Sequence, residues 1–107
     1  MSISALELNN ALTEYIQTFP SEIRLSVYLA GKYSAQYKVE IHSTLSAAVK
    51  TTEEFLWAQP GGVHWSSEFE KELFNHIVSK HPWLELSGFS CLLGFSKWLC
   101  WHEGLNA

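Results

Sequence analysis

Apolar side chains recur along this chain at two different spacings. The first is helical. Ala5, Leu8, Leu12, Tyr15, Ile16 and Phe19 fall within an arc about 100° wide at 3.6 residues per turn, while Asn10, Glu14 and Gln17 face away. Ser4 and Glu7 have the spacing of a capping box, and Pro20 supplies a stop. An amphipathic helix is expected up to Pro20.

The pattern then changes to period two. Ile23, Leu25, Val27 and Leu29 alternate with Arg24, Ser26 and Tyr28. After Ala30-Gly31-Lys32, Ala35, Tyr37, Val39 and Ile41 alternate with Gln36, Lys38 and Glu40. Alternation of this kind predicts a β-hairpin. Pairing Leu29 with Ala35 keeps the apolar sets on one face and sets Arg24 opposite Glu40. The register that pairs Leu29 with Tyr33 sets Arg24 opposite Lys38 and Glu22 opposite Glu40, so cross-strand charge favours the first, with a five-residue loop.

Helical spacing returns at Ser43 or Thr44, either of which can cap. Leu45, Ala48, Val49, Thr52, Phe55 and Leu56 form the inner face, Lys50 and Glu54 stand four apart outside, and Trp57 lies off the stripe. Gln59-Pro60-Gly61-Gly62 breaks the helix with a type II turn signal. Ser67 with Glu70 has capping-box spacing for a further helix carrying Phe69, Leu73, Phe74, Ile77 and Val78, ending near His81-Pro82. Trp83 to Leu86 connects, and Ser87-Gly88 separates it from the last element.

The segment Ser90–Leu105 is apolar on nearly every side. Cys91, Leu92, Phe95, Trp98, Leu99 and His102 share one arc of about 120°, and Leu93, Cys100 and Trp101 form a second apolar face. Gly104 sits where a left-handed C′ residue belongs, followed by the apolar Leu105. This predicts a central helix with a defined end. A competing reading turns Gly94-Phe95-Ser96-Lys97 into a hairpin that would set Cys91 opposite Cys100. On the helix those two lie about 13 Å apart along the axis and half a turn out of phase, beyond disulfide reach; free thiols are expected.

The fold class expected from these elements is α+β: an N-terminal helix, a two-stranded antiparallel hairpin, then three helices with the last one central. At 107 residues it forms one domain. An apolar share of 47% can fill a core, and a charged share of 17% argues against disorder. The N-terminus has no basic region followed by an apolar run, so no secretory leader is expected. No stretch has the length of a membrane span, and the expected location is cytoplasmic.

Charge narrows the function. The net charge is −4 and every acid is Glu, which removes Asp-based metal loops and the Ser-His-Asp triad. Arg24 is the lone Arg, so phosphate or base recognition lacks its usual side chain and nucleic acid is not expected as a partner. Five histidines raise the question of a metal. His76 and His81 lie about 140° apart on a helix, and His42, His64 and His102 belong to different elements, so no close ligand pair exists. Neither a metal nor any other cofactor is expected. His102-Glu103 reads as a histidine at a helix C-terminus. No Gly-rich phosphate loop or nucleophile elbow is present.

Trp57, Trp65 and Trp101 fall outside or at the margin of core stripes, and Trp dominates binding hot spots. The expected function is a non-catalytic protein-binding module, a small acidic inhibitor or adaptor that occludes a basic partner. Its contact residues are Glu53, Glu54, Trp57, His64, Trp65, Glu68, Glu70 and Glu72. In size and charge balance the chain is similar to the immunity proteins with which bacteria neutralise their own toxins. No motif carries that likeness, but it places a toxin or nuclease domain among the candidate partners. A homodimer through the last helix is a further option. The reading from another class is a small enzyme or ligand-binding domain that uses histidines and Glu brought together by folding. A pocket joining two histidines and a Glu would favour it.

Overall fold

The computed structural model describes residues 3–107 and holds five helices. They are α1 (Ala5–Tyr15), α2 (Glu22–Leu29), α3 (Ala35–Trp57), α4 (Ser67–Lys80) and α5 (Leu86–Glu103). No strand occurs among the described residues; strand-like pairing is limited to isolated bridges, Ile16 with Pro20 and Val63 with Asn106. The expected α+β class and its hairpin are therefore wrong. Residues 1 and 2, on which part of the reading of the N-terminus rests, lie outside the described residues.

The physical reason lies in how two helical pairs imitate a strand. On a helix, Leu25 and Leu29 form one i,i+4 pair, and Ile23 and Val27 form another on nearly the opposite face. Leu25 and Leu29 are buried, whereas Ile23 is 78% and Val27 71% exposed. The second run repeats this: Ile41 is fully buried one turn after Tyr37, while Val39, one turn after Ala35, is 70% exposed. Two apolar pairs back to back read as period two. The helix starts were in the serines: Ser21 Oγ accepts from Arg24 N (3.2 Å) and Ser34 Oγ from Tyr37 N (3.4 Å).

The proposed Arg24–Glu40 cross-strand pair does not form. Arg24 instead donates to the carbonyls of Glu14 (3.2 Å), Tyr15 (3.4 Å) and Phe19 (3.1 Å), and so satisfies the end of α1. α1 stops at Tyr15, before Pro20, and opens with the expected Ser4–Glu7 capping box. Neither Ser43 nor Thr44 caps; α3 is already under way, and Thr44 Oγ1 donates back to the Glu40 carbonyl at 2.8 Å. Ser66, one residue before the expected Ser67, caps α4 by accepting from Phe69 N (3.0 Å).

α1 packs on α2 and α5, α3 packs on α4 and α5, and α1 touches α3. Leu12, Ile41, Leu45, Leu56, Leu73, Ile77 and Leu92 are almost completely buried at these contacts. Each such side chain contributes about 1.5–3 kcal/mol. α5 is continuous through Gly94–Lys97, so the alternative hairpin there does not occur, and Cys91 and Cys100 are free thiols. It also starts earlier than expected, with Ser87 and Gly88 inside it. Gly88 is needed for contact with α1: a Cβ there would run into Asn9 Oδ1. Gly94 faces open space.

Two expected turns are present. Gly61 adopts φ +75° and Gly62 N reaches the Gln59 carbonyl at 3.2 Å. Gly104 adopts φ +69° at the end of α5, with Leu105 N bonded to the Cys100 carbonyl at 2.8 Å. The tail then runs beside Val63, whose N–H reaches the Leu105 carbonyl at 2.8 Å and whose carbonyl accepts from Ala107 N at 3.0 Å. Among the described residues, no helix is long and apolar enough to cross a membrane.

Candidate interaction surfaces

The eight residues expected to form a binding face divide into three groups. Trp65 and Glu70 are taken up by the fold. Trp65 is half-buried, stands edge-on to Phe69 at 5.3 Å between ring centres, and donates from Nε1 to Asn106 Oδ1 at 3.0 Å. Lys97 Nζ lies 5.5 Å from the Trp65 ring centre and 3.3 Å from Glu70 Oε2. Trp65 thus ties the C-terminal tail to α4 through Asn106 and Phe69, and Lys97 of α5 joins Trp65 to Glu70. Glu53 is half-buried, and burial raises its carboxyl above the ordinary range; its charge acts on Tyr15 of α1. His64 is exposed on the α3–α4 connection.

Glu54, Trp57, Glu68 and Glu72 form the third group. Phe55 of α3 meets Phe69 (5.8 Å) and His76 (4.6 Å) of α4, and Thr51 Oγ1 meets His81 Nε2 (2.8 Å). These contacts fix how each helix is rolled. Glu54 lies about 100° round α3 from Phe55, and Glu68 the same angle round α4 from Phe69, with Glu72 one turn on. All three carboxylates are exposed, on the outward side of the α3–α4 pair. Among the described residues none of them has an ion-pair partner, and the expected Lys50–Glu54 pair is absent. Trp57, at the last turn of α3, is 55% exposed and lies about 60° round the helix from Glu54. Unpaired carboxylates beside an accessible indole suit a cationic surface, through charge attraction and cation–π contact.

A second feature was hidden by the hairpin reading. α2 and the start of α3 enclose an open groove of about 320 Å³, lined by Leu25, Ser26, Leu29, Lys38, Val39 and His42, with Glu22 at one end. Tyr15 Oη donates to Glu22 Oε1 at 3.0 Å, and Glu22 Oε2 lies 2.7 Å from His42 Nε2. That last contact is close enough for an ion pair but lacks hydrogen-bond geometry, and His42 Nε2 is buried without a hydrogen-bond partner. Burial pushes the Tyr15 phenol up, and Glu22 adds to the effect. The exposed Val39 lines this groove, and the exposed Ile23 and Val27 stand on the outward side of α2, where they border a second depression with Glu14, Arg24 and Tyr28. The i,i+4 spacing of Ile23 and Val27 was the available signal, masked by the alternation.

The remaining histidines do not converge. His76 stacks on Phe55, His81 meets Thr51, and His102 stacks on Trp98 (4.8 Å) with Nδ1 3.6 Å from Glu103 Oε1. His42 with Glu22 brings one histidine to a carboxylate, so the two-histidine pocket that would favour an enzyme is not formed. Among the described residues no three His, Cys or Glu side chains could share a metal ion. On α5, Cys100 is buried within the chain, Leu93 is half-buried and Trp101 is 70% exposed. The chain matches no known family model, curated protein or solved structure.

Proposed function

We propose that the chain is a non-catalytic protein-binding module of the cytoplasm, a small acidic inhibitor or adaptor that occludes a basic partner such as a toxin or nuclease domain. The observation that carries this reading is the outward α3–α4 side, where Glu54, Glu68 and Glu72 stand exposed and, among the described residues, without an ion-pair partner, with the exposed Trp57 next to Glu54 on α3. The carboxylates steer the encounter, and the indole anchors the complex by burying apolar area against the partner. Of the eight expected contact residues, Trp65 and Glu70 already serve the fold and Glu53 is half-buried; His64 remains exposed on the α3–α4 connection, and the proposal centres on the other four. Arg24 is bound to three backbone carbonyls, which leaves the chain without a free guanidinium for nucleic acid.

The test is co-purification from the source cell with the full chain, wild type against the triple variant Glu54→Lys/Glu68→Lys/Glu72→Lys. The expected result is a basic protein held by the wild type, absent with the variant, and associating more slowly as salt rises from about 0.1 M to about 1 M and the screening length falls from about 10 Å to about 3 Å. A partner retained by the triple variant, or an association rate indifferent to salt, overturns the proposal.

A further inference from the structure

We propose that the face formed by α2 and the first two turns of α3 seats a second copy of this chain about a two-fold axis. This surface is separate from the acidic α3–α4 face, so either proposal can fail alone.

Three observations lead to the second copy. The first is apolar exposure without cover: Ile23, Val27 and Val39 are each at least 70% exposed, and Ile23 and Val27 stand one turn apart as a ridge along α2. The second is shape. Beside that ridge lies the groove whose floor is Leu25 and Leu29 and whose far wall is Val39. A two-fold contact requires each copy to present both halves of the fit on one patch, and ridge and groove lie side by side here. The third is charge. Glu22 and His42 meet at one end of the groove, and Lys38, one turn before His42 on α3, lines it further along. A two-fold axis through the middle of α2 sets the two α2 helices antiparallel. Glu22 of one copy then meets Lys38 of the other, and symmetry makes the pair twice. Lys38 has no ion-pair partner among the described residues of a single chain.

The contact is small. It centres on three side chains from each copy, which places it at the low end of specific interfaces, below about 1,200 Å² in total. A contact of this size suits a weak, transient association, so its test must span concentration.

Sedimentation of the full chain, from about 5 to about 500 μM, provides that test. The wild-type mass should rise from 12.2 kDa toward twice that value with concentration. Val27→Glu, a change at a solvent-facing position, should remain at the monomer mass throughout, and Trp101→Ala should behave as wild type. Lys38→Glu alone and Glu22→Lys alone each set like charges together twice and should weaken self-association by roughly tenfold or more. An equimolar mixture of those two variants restores both pairs, one as in the wild type and one with its charges exchanged, and should associate as the wild type does. Circular dichroism checks that each variant keeps its helix. If Glu22→Lys loses it through Tyr15 and His42, Val27→Glu and Lys38→Glu decide. A wild type that stays at 12.2 kDa to the highest concentration overturns the proposal, as does a Val27→Glu or Lys38→Glu chain that self-associates undiminished. With both variants folded, a mixture no stronger than its components also overturns it.

Discussion

Replacing glycine by alanine at Gly88 and at Gly94, both inside α5, should shift stability in opposite directions. Helix propensity alone favours Ala by about 0.8–1 kcal/mol at either position. At Gly94 nothing lies within 4 Å of the new Cβ, so Gly94→Ala should stabilise by about 0.5–1 kcal/mol. At Gly88 the Cβ would press into Asn9 Oδ1 and lie 3.1 Å from Leu84 Cδ1 and 3.2 Å from Asn9 Cγ. Asn9 cannot retreat cheaply. It is 1% exposed, its Nδ2 donates to the carbonyls of Ala5 (2.8 Å) and Trp83 (2.9 Å), and its Oδ1 accepts from Glu85 N (3.0 Å). Glu85 is the N-cap of α5 and makes no side-chain cap bond of its own. Asn9 of α1 thus completes the entry to α5.

Moving Asn9 leaves buried groups unpaired at about 1–3 kcal/mol each, and forcing a methyl into the contact costs about 1–3 kcal/mol. After the propensity gain, Gly88→Ala should destabilise by about 2–4 kcal/mol. Urea titration with an unchanged slope measures both variants. Adding Asn9→Ala to Gly88→Ala should cost less than the sum of the two single changes, because the clash is removed once. A Gly88→Ala chain as stable as wild type would refute the account of how α1 and α5 are joined.

Tyr33 donates to Glu7 Oε2 at 2.6 Å, which holds the Glu7 carboxyl below its ordinary range and pushes the Tyr33 phenol up to about 12. A raised folded-state value means the bond supports the fold below the ordinary phenol value of 10.0 and is lost as pH climbs from there to about 12. Ultraviolet titration should therefore show late phenols, since Tyr15 is raised by burial as well, and Tyr33→Phe should remove the one at about 12. Because Trp101 is 70% exposed, Trp101→Ala should change stability by no more than about 0.5 kcal/mol, measured by the same urea titration.

Much of the helical framework was legible in the sequence. The Ser4–Glu7 box, the inner face from Leu45 to Leu56, the Pro60-Gly61 turn and the Gly104 stop all follow from local rules that tertiary contacts leave intact. What failed was Ile23 to Ile41. There α2 and the start of α3 each carry two apolar pairs on opposed faces, and only burial reveals that Leu25, Leu29 and Ile41 point inward while Ile23, Val27 and Val39 do not. The cross-strand charge argument assumed the strands it was meant to align, and the lone Arg of that pair closes α1. Gly88 was misread for a related reason: a glycine that breaks a helix and one that admits a neighbouring side chain look alike until Asn9 is seen against it. The candidate face was legible in part. Glu54, Glu68, Glu72 and Trp57 are exposed because Phe55, Phe69 and His76 turn the other sides of their helices inward. Trp65 and Glu70 were lost to Lys97 and Asn106, contacts more than 25 residues away in sequence that no local pattern announces.

The proposed function is tested most directly by amide hydrogen exchange of the full chain, alone and saturated with the basic protein it retains. Slower exchange confined to the last two turns of α3 and the first two turns of α4 is the expected result. Protection confined to α2 and the start of α3, with the Glu54–Trp57 and Glu68–Glu72 segments unchanged, would contradict it.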